Sequence, residues 1–418
     1  MNEISTLQSL PDHPLLHILS YLKYSDLVAF AQVCRRLYRL AGYEPLWRRQ
    51  CQVYWDVQNC EQTSWKDCFI EWYKDFGRYI NVYRPIRKAW DQIQSFTEKN
   101  CPAIWNSIAG GLSESMLAAI EQQLHASLPN DYRCSCRLFN GRNFYPGVAP
   151  PGLLGTIEFG GYKLTQFLRF PAPQSLDDDR CCISLSSWVL ADNNEEVGQE
   201  VMSLTDQGGS IPGQIYYQYC ADEHMNDHMN KHGEFITGDS FLTWFTSFAQ
   251  QLADNVFPVV DGHIYRFYHE PGTVAETNGI RVSVATAFVQ PASSIAPPHF
   301  SHAYRITMSM DPAAPTQDSC QLSTRSWTIT DEDGREEKVE GPGVVGEYPV
   351  MRPGSSHTWI SSTHFQTTYG NMRGYFTMIN LDTGASVDVQ CPTFHMKCLP
   401  YQTTAERRDR ALSTKKRN

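Results

Sequence analysis

The apolar period changes along this chain, and the change limits the folds open to it. Early in the sequence, apolar residues recur every three or four positions. Leu15, Ile18, Leu19 and Leu22 fall at i, i+3, i+4 and i+7, one helix face, and Leu16 widens the stripe. Leu27, Phe30, Ala31, Cys34 and Leu37 continue that period behind Ser25, a good N-cap, and Asp26, whose charge suits a helix start. Glu44-Pro45-Leu46-Trp47 opens a third helix with Pro45 in its first turn. Beyond residue 261 the period drops to two: Ile280, Val282 and Val284; then Tyr304, Ile306, Met308 and Met310; then Trp327/Ile329, Tyr375/Thr377/Ile379 and Val387/Val389. Turn signals intervene at Asp333-Gly334, Pro353-Gly354 and Thr383-Gly384, which predicts an antiparallel sandwich.

Between these regions the patterns mix. Ser113-Glu114 begins a helix carrying Leu117, Ile120 and Leu124, ended by Leu128-Pro129. Apolar runs at 183–190 and 215–217 follow, and Phe241, Leu242, Phe245 and Phe248 form a further helix with Trp244 alongside. The predicted class is therefore multidomain α+β: three N-terminal helices over 8–52, an aromatic-rich helical linker over 53–90, an α+β domain over 91–255, an all-β sandwich over 261–400 and a basic flexible tail over 401–418. Three short helices cannot bury all their aliphatic side chains among themselves, so the first segment needs the rest of the chain or a partner. Residues 91–255 carry 8 Lys/Arg against 20 Asp/Glu, and the whole chain has net charge −10, which argues against nucleic acid as a partner. In the linker, Trp65, Phe69, Trp72 and Phe76 keep helical spacing and read as a stripe that docks on the next domain, not as a base-stacking platform.

No apolar run approaches the ~18 residues of a membrane span, and no basic region followed by an apolar stretch opens the chain, so neither a membrane nor a secretory route is expected. The 13 cysteines then read as reduced thiols of the cytosol or nucleus. Cys134-x-Cys136 and Cys181-Cys182 have no second pair at finger-like spacing, so no structural zinc is expected. His224-x-x-x-His228-x-x-x-His232 has the spacing of a helical chelate, but its neighbours are polar throughout and read as an exposed loop. His299-x-x-His302 follows Pro297-Pro298 and reads as a sandwich corner. Gly341-x-Gly343-x-x-Gly346 has dinucleotide spacing, yet Pro349 and Pro353 forbid the helix that must follow it, leaving a glycine-rich inter-strand loop. A nest of backbone amides for phosphate stays open there. No catalytic array can be assembled from spacing, and no metal or cofactor is expected.

Three resemblances follow from these residues. Leu10-Pro11 with Leu15, Ile18, Leu19 and Leu22, then Ser25-Asp26-Leu27, then Val33-Cys34-Arg35-Arg36-Leu37, then Leu46-Trp47, resembles an F-box. That resemblance implies packing on the Skp adaptor of a cullin–RING ubiquitin ligase, with Leu10, Pro11, Leu15, Ile18, Leu19, Leu22, Leu27, Val33 and Cys34 contributing. Ile120-Glu121, Leu128-Pro129-Asn130-Asp131-Tyr132-Arg133, Phe139-Asn140-Gly141 and the helix beginning Phe241-Leu242-Thr243-Trp244 resemble the SUKH (Smi/Knr-type) family, a protein-binding fold with no common catalytic site. Gly341 through Pro349, Arg352-Pro353-Gly354 and Tyr369-Gly370-Asn371-Met372-Arg373-Gly374-Tyr375 resemble the ApaG family, which has an immunoglobulin-like sandwich. Multidomain F-box proteins of this order commonly carry an acidic tail, whereas this chain ends in Arg407-Arg408-Asp409-Arg410 and Lys415-Lys416-Arg417.

Together the resemblances imply a non-catalytic substrate-recognition subunit of an SCF-type ligase, cytoplasmic and nuclear, that brings an unidentified protein substrate to the adaptor and its cullin. Two loops, around Gly341, Gly343, Gly346 and Gly354 and around Gly370 and Gly374, are the candidate substrate or ligand region. A non-ligase scaffold bound to the adaptor, and a phosphate- or small-molecule-binding protein using the ApaG-like loop, stay open as alternatives.

Overall fold

The computed structural model describes residues 10–142, 151–169, 171, 173–175, 180–192, 195–219 and 233–415. The first segment contains four helices where the sequence predicts three: α1 (Asp12–Leu19), α2 (Tyr24–Ala31), α3 (Arg35–Ala41) and α4 (Glu44–Trp55). The predicted second helix breaks at Cys34, whose backbone is extended at φ −160° and ψ 166°. The side chain that follows explains the break. Arg36 donates from Nε to Asp12 Oδ1 at 2.9 Å and from Nη2 to the Leu10 carbonyl at 2.5 Å, tying α3 to the start of α1. Ser25 is not the cap; α2 starts at Tyr24 behind Lys23, with no side-chain cap.

Next come α5 (Trp65–Phe76), α6 (Tyr83–Asn100), the short α7 (Pro102–Trp105), α8 (Glu114–Leu124) and α9 (Asn130–Leu138). Ser113 caps α8 as predicted, accepting from Met116 N at 3.2 Å. The stripe of α5 faces back as well as forward. Phe69 packs on Trp47 at 5.3 Å and Phe76 packs on Tyr83 at 5.0 Å between ring centres. The predicted boundary at residue 90 falls inside α6, whose continuous buried stripe of Ile86, Ala89, Trp90, Ile93 and Phe96 overrides it. Trp90 meets Phe245 at 5.0 Å and donates to Ser135 Oγ at 2.9 Å, so α6 packs on α10 (Phe241–Ala253) and belongs to the central domain.

The central sheet is antiparallel throughout. Its order is Tyr401–Thr403, Gly233–Gly238, Ile215–Tyr219, Glu196–Ser203, Cys181–Leu190, Tyr162–Leu168 and Thr156–Phe159, with Pro173–Ser175 beside Cys181–Leu190. The outermost strand corrects the expectation of a flexible tail. Tyr401–Thr403 pairs with residues 233–235, and α11 (Thr404–Lys415) follows it. A Cβ on Gly209 would stand 2.1 Å from the Arg407 carbonyl, so α11 lies hard against that turn. The pairing partner lies far earlier in the chain, out of reach of a local composition argument.

The sandwich consists of a sheet ordered Val274–Thr277, Ile280–Phe288, Phe300–Met310 and Ser356–Phe365, facing a second ordered Glu336–Pro342, Cys320–Asp331, Tyr369–Asn380 and Ser386–Lys397. Its core includes Val282, Val284, Ile306, Met308, Trp327, Phe376 and Val389. The strand Tyr369–Asn380 runs in the opposite phase to the one predicted: Met372, Phe376 and Met378 are buried, while Tyr375, Thr377 and Ile379 lie on the other face. A period of two has two phases, and here both sets offer plausible strand residues. A second core joins the sandwich to the central sheet, with Trp188, Tyr217, Phe235, Phe267, Ala285, Phe300 and Ala303 packed together.

Two consequences can be measured. A Cβ on Gly374 would stand 2.0 Å from the Ser326 carbonyl, whereas Gly384, at φ 70°, has open space. Gly374→Ala should cost about 2 kcal/mol or more in urea unfolding, and Gly384→Ala about 1 kcal/mol from backbone strain alone. His302 sits buried at the sandwich corner with Nε2 unbonded among the described residues, and burial pulls its imidazole from 6.5 to about 4. The folded state resists the proton that the unfolded chain accepts. The stability is therefore complete above pH 6.5 and falls by about 3 kcal/mol as pH drops through 4. In His302→Gln that part of the pH dependence should vanish from denaturation curves.

Candidate adaptor-binding surface

The nine residues expected at the adaptor surface separate by burial. Leu15, Leu19 and Leu27 are wholly enclosed by the chain's own helices, so they shape the surface from beneath and do not form it. Leu10, Leu22 and Cys34 are half-buried. Pro11, Ile18 and Val33 are exposed, Ile18 at 43% and Val33 at 63%. The physical reason is the period itself. The apolar stripe of α1 is what a small helical domain buries first, and a partner meets the side chains flanking it. Sequence reading missed Tyr21, Val28 and Tyr38, which the structure leaves exposed alongside them. Their signal was apolar character off the stripe.

Cross-links fix this surface. Asp12 receives Arg36 and, at 3.2 Å, Arg39 Nη2; the Arg36 hydrogen bond leads in holding its carboxyl below the usual range. Trp47 Nε1 donates to the Ala41 carbonyl at 2.7 Å, and Gln50 Nε2 to the Leu22 carbonyl at 3.0 Å, pinning α4 across the turns that precede it. Tyr21 and Tyr38 lie under Arg49 and Lys66, at 6.0 and 5.3 Å from the ring centres, so the exposed apolar side chains are bordered by cations.

The glycine motif of the sandwich divides differently. Gly341 lies within the strand Glu336–Pro342, next to its end, and a tight turn then leads to the short strand Val350–Met351, so no helix follows to hold a pyrophosphate. Gly343 and Gly346 take φ values of 57° and 79°. The Gly343, Val344 and Glu347 amides donate to the Ser323, Glu347 and Val344 carbonyls, while Arg325 Nη1 reaches the Pro342 and Gly343 carbonyls, both at 2.9 Å. Three amides of the supposed nest are thus already engaged. Gly354 supplies the turn before Ser356–Phe365 at φ 79°. Gly370 and Gly374 correct the expectation of a loop: both lie within the strand Tyr369–Asn380. A Cβ on Gly370 would stand 2.2 Å from the Phe365 ring, so these glycines admit close neighbours.

Burial pushes the thiols of Cys51, Cys68, Cys101, Cys134, Cys136, Cys181, Cys320, Cys391 and Cys398 upward, away from the thiolate form that attacks. His299 stacks on His364 at 4.3 Å, and among the described residues no three His, Cys, Asp or Glu side chains converge as a metal site. The triad of His224, His228 and His232 lies outside the described residues, as do Lys416 and Arg417. No helix among the described residues is long and apolar enough to cross a membrane.

The division between buried and exposed positions predicts opposite responses. Leu15→Ala or Leu19→Ala should cost about 2–5 kcal/mol of stability by leaving a cavity, whereas Ile18→Asp or Val33→Asp should stay within about 0.5 kcal/mol of the parent in thermal unfolding.

Comparison with known proteins agrees with this architecture. An F-box-like family matches residues 7–53, the SMI1 / KNR4 family (SUKH-1) matches 111–247 and the ApaG domain family matches 290–380. Protein ApaG of Acidithiobacillus ferrooxidans is 38% identical over 28% of this chain and 88% of its own length. F-box only protein 3 of Homo sapiens is 37% identical over 96% of this chain and 85% of its own length, and that of Bos taurus is 37% identical over 96% and 86%. With four N-terminal helices, a central mixed domain and a C-terminal β-sandwich matching in that order along nearly its whole length, the chain belongs to the F-box only protein 3 family.

Proposed function

We propose that the chain is the substrate-recognition subunit of an SCF-type cullin–RING ubiquitin ligase, working in the cytoplasm and nucleus. The observation that carries this reading is the set of apolar side chains left in solvent on α1–α3 and their links: Ile18, Tyr21, Val28, Val33 and Tyr38. Their helices have completed their own core, so this surface is surplus to folding and suits an apolar partner such as the Skp adaptor. Membership of the F-box family supports the same partner.

The role needs no nucleophile in this chain. A ligase subunit of this kind holds a substrate lysine near a ubiquitin-loaded carrier, which turns a bimolecular encounter into a local one. Continuity of structure serves that task. The buried cluster that begins with Leu15 and Leu19 runs through α5 and α6 to Phe241, Phe245 and Ile264, so the adaptor end is packed continuously onto the central domain. The central domain and the sandwich, joined through their common core, present the surface from which a substrate is selected.

Pull-down from cell extract tests the reading. The parent chain should recover the Skp adaptor together with a cullin, and the folded double variant Ile18→Asp/Val33→Asp should recover roughly tenfold less or lower. Undiminished recovery by the double variant would overturn the surface assignment. Adaptor without cullin would point to a scaffold instead of a ligase subunit.

A further inference from the structure

The outer strand of a sheet has backbone groups left over, and three of the four such strands in the sandwich are guarded. Val274–Thr277 is four residues long and carries Glu276. Glu336–Pro342 carries Glu336, Glu337, Lys338 and Glu340. Ser386–Lys397 carries Asp388 and Pro392, and its register shifts beside Met372 and Gly374. Short length, charge, proline and irregular register all keep an edge from pairing with another chain. Ser356–Phe365 has none of these devices. Its ten residues include no proline, acid, lysine or arginine, and they pair with 300–309 without a register shift.

The ladder fixes which groups are left over. Met310 N donates to the Ser355 carbonyl, and the same phase continues along the pair. Residues 357, 359, 361 and 363 therefore face Phe300–Met310, while Thr358, Ile360, Ser362 and His364 turn their amides and carbonyls to the free edge. Among the described residues, no backbone group of 357–365 bonds outside that ladder. Beside residues 359–362 lies a cavity of about 270 Å³. Buried Tyr304, Trp327 and Trp359 line it, together with Val345, which is 65% exposed. The left-handed backbone of Val345, at φ 47°, is costly for a β-branched residue, and it keeps an apolar side chain in solvent beside this cavity. The Gly160-Gly161 turn of the central sheet borders the same space.

We propose that this edge takes an extended segment of the substrate protein as an added strand, with one bulky apolar side chain of that segment in the cavity. A row of outward amides and carbonyls is matched by an extended backbone, and an aromatic-lined cavity beside it selects one side chain. The proposal deepens the ligase reading and rests on it for naming the partner a substrate.

Fluorescence anisotropy on the full chain tests this with labelled peptides of the sequence Lys-Thr-Val-Thr-Xaa-Thr-Val-Thr-Lys, where Xaa is Phe, Leu, Gly or Asp. Saturable binding with Phe or Leu, and roughly tenfold weaker binding with Gly or Asp, is the expected result. Bound Phe peptide should slow hydrogen exchange at 358–364. Ser362→Pro removes an outward amide and leaves the ladder intact, so it should fold and bind the Phe peptide roughly tenfold more weakly. Ser362→Ala keeps that amide and should bind as the parent does. Val345→Asn suits the left-handed backbone and should weaken the Phe peptide without affecting the Gly peptide. No saturable binding of any peptide, equal affinity for Phe and Gly, or unchanged affinity in folded Ser362→Pro would overturn the proposal. A parent dimer that Ser362→Pro dissolves would overturn it too, because the edge then belongs to a second copy. Recovery of adaptor and cullin reads the ligase assignment separately: its loss with peptide binding kept would remove that assignment and leave the strand site standing.

Discussion

The buried guanidinium of Arg133 sets the geometry on which the domains depend. Its side chain is 3% exposed, and its donors go to three places: Nε to Tyr79 Oη at 2.8 Å, Nη2 to Glu114 at 2.7 Å, and Nη1 to Glu121. Tyr79 stands between α5 and α6 and itself donates to Glu114 at 2.6 Å, so the F-box stem and the first helices of the central domain close on one charge. Burial alone would raise the Glu114 carboxyl, but hydrogen bonds from Tyr79 and Arg133 outweigh it and hold the group below its usual range. Such a network contributes more to fixing an arrangement than to net stability. Losing its carboxylates would leave the Arg133 guanidinium buried and uncompensated, at a cost of about 3–5 kcal/mol, whereas Glu114, 43% exposed, can turn to water.

A subunit that works by proximity needs this stiffness. Effective concentration falls when the link between two binding ends is loose, because the substrate then samples volume away from the reacting partner. Here the chain replaces a linker with packed aromatic rings. Trp55, Trp72, Phe76 and Tyr83 meet one another at centroid distances from 5.0 to 6.2 Å along α4, α5 and α6. The same economy appears at the far end, where Phe235 packs on Phe288 at 5.1 Å across the junction of central sheet and sandwich.

Periodicity located the elements well and their outward faces poorly. Ser113 with Glu114, the stripe of α10, and the strands carrying Ile280 and Ile306 were all legible, because caps and regular apolar spacing are local signals. The F-box resemblance carried Leu15, Leu19 and Leu27 to a partner's surface, and the fold encloses all three among the chain's own helices, since apolar spacing does not say whose core a side chain fills. The phase of Tyr369–Asn380, the union of Tyr401–Thr403 with the central sheet, and the cavity beside Trp359 depend on contacts between distant segments. A basic composition over 401–418 read as a flexible tail, and concealed that α11 closes on Gly209.

The glycine motif of the sandwich shows how such a pattern misleads about chemistry. Its spacing invites a reading of backbone amides turned toward an anion. In the fold, the Gly343, Val344 and Glu347 amides turn inward to carbonyls, and Arg325 closes on the outward carbonyls of Pro342 and Gly343. The turn also drives Val344 into the core and holds Val345 in solvent at φ 47°, a left-handed conformation that a β-branched residue adopts only under constraint from its surroundings. Arg325 and the reciprocal Val344–Glu347 pairing supply that constraint. With the Gly343, Val344 and Glu347 donors spent on holding the turn, those three amides are closed to a partner.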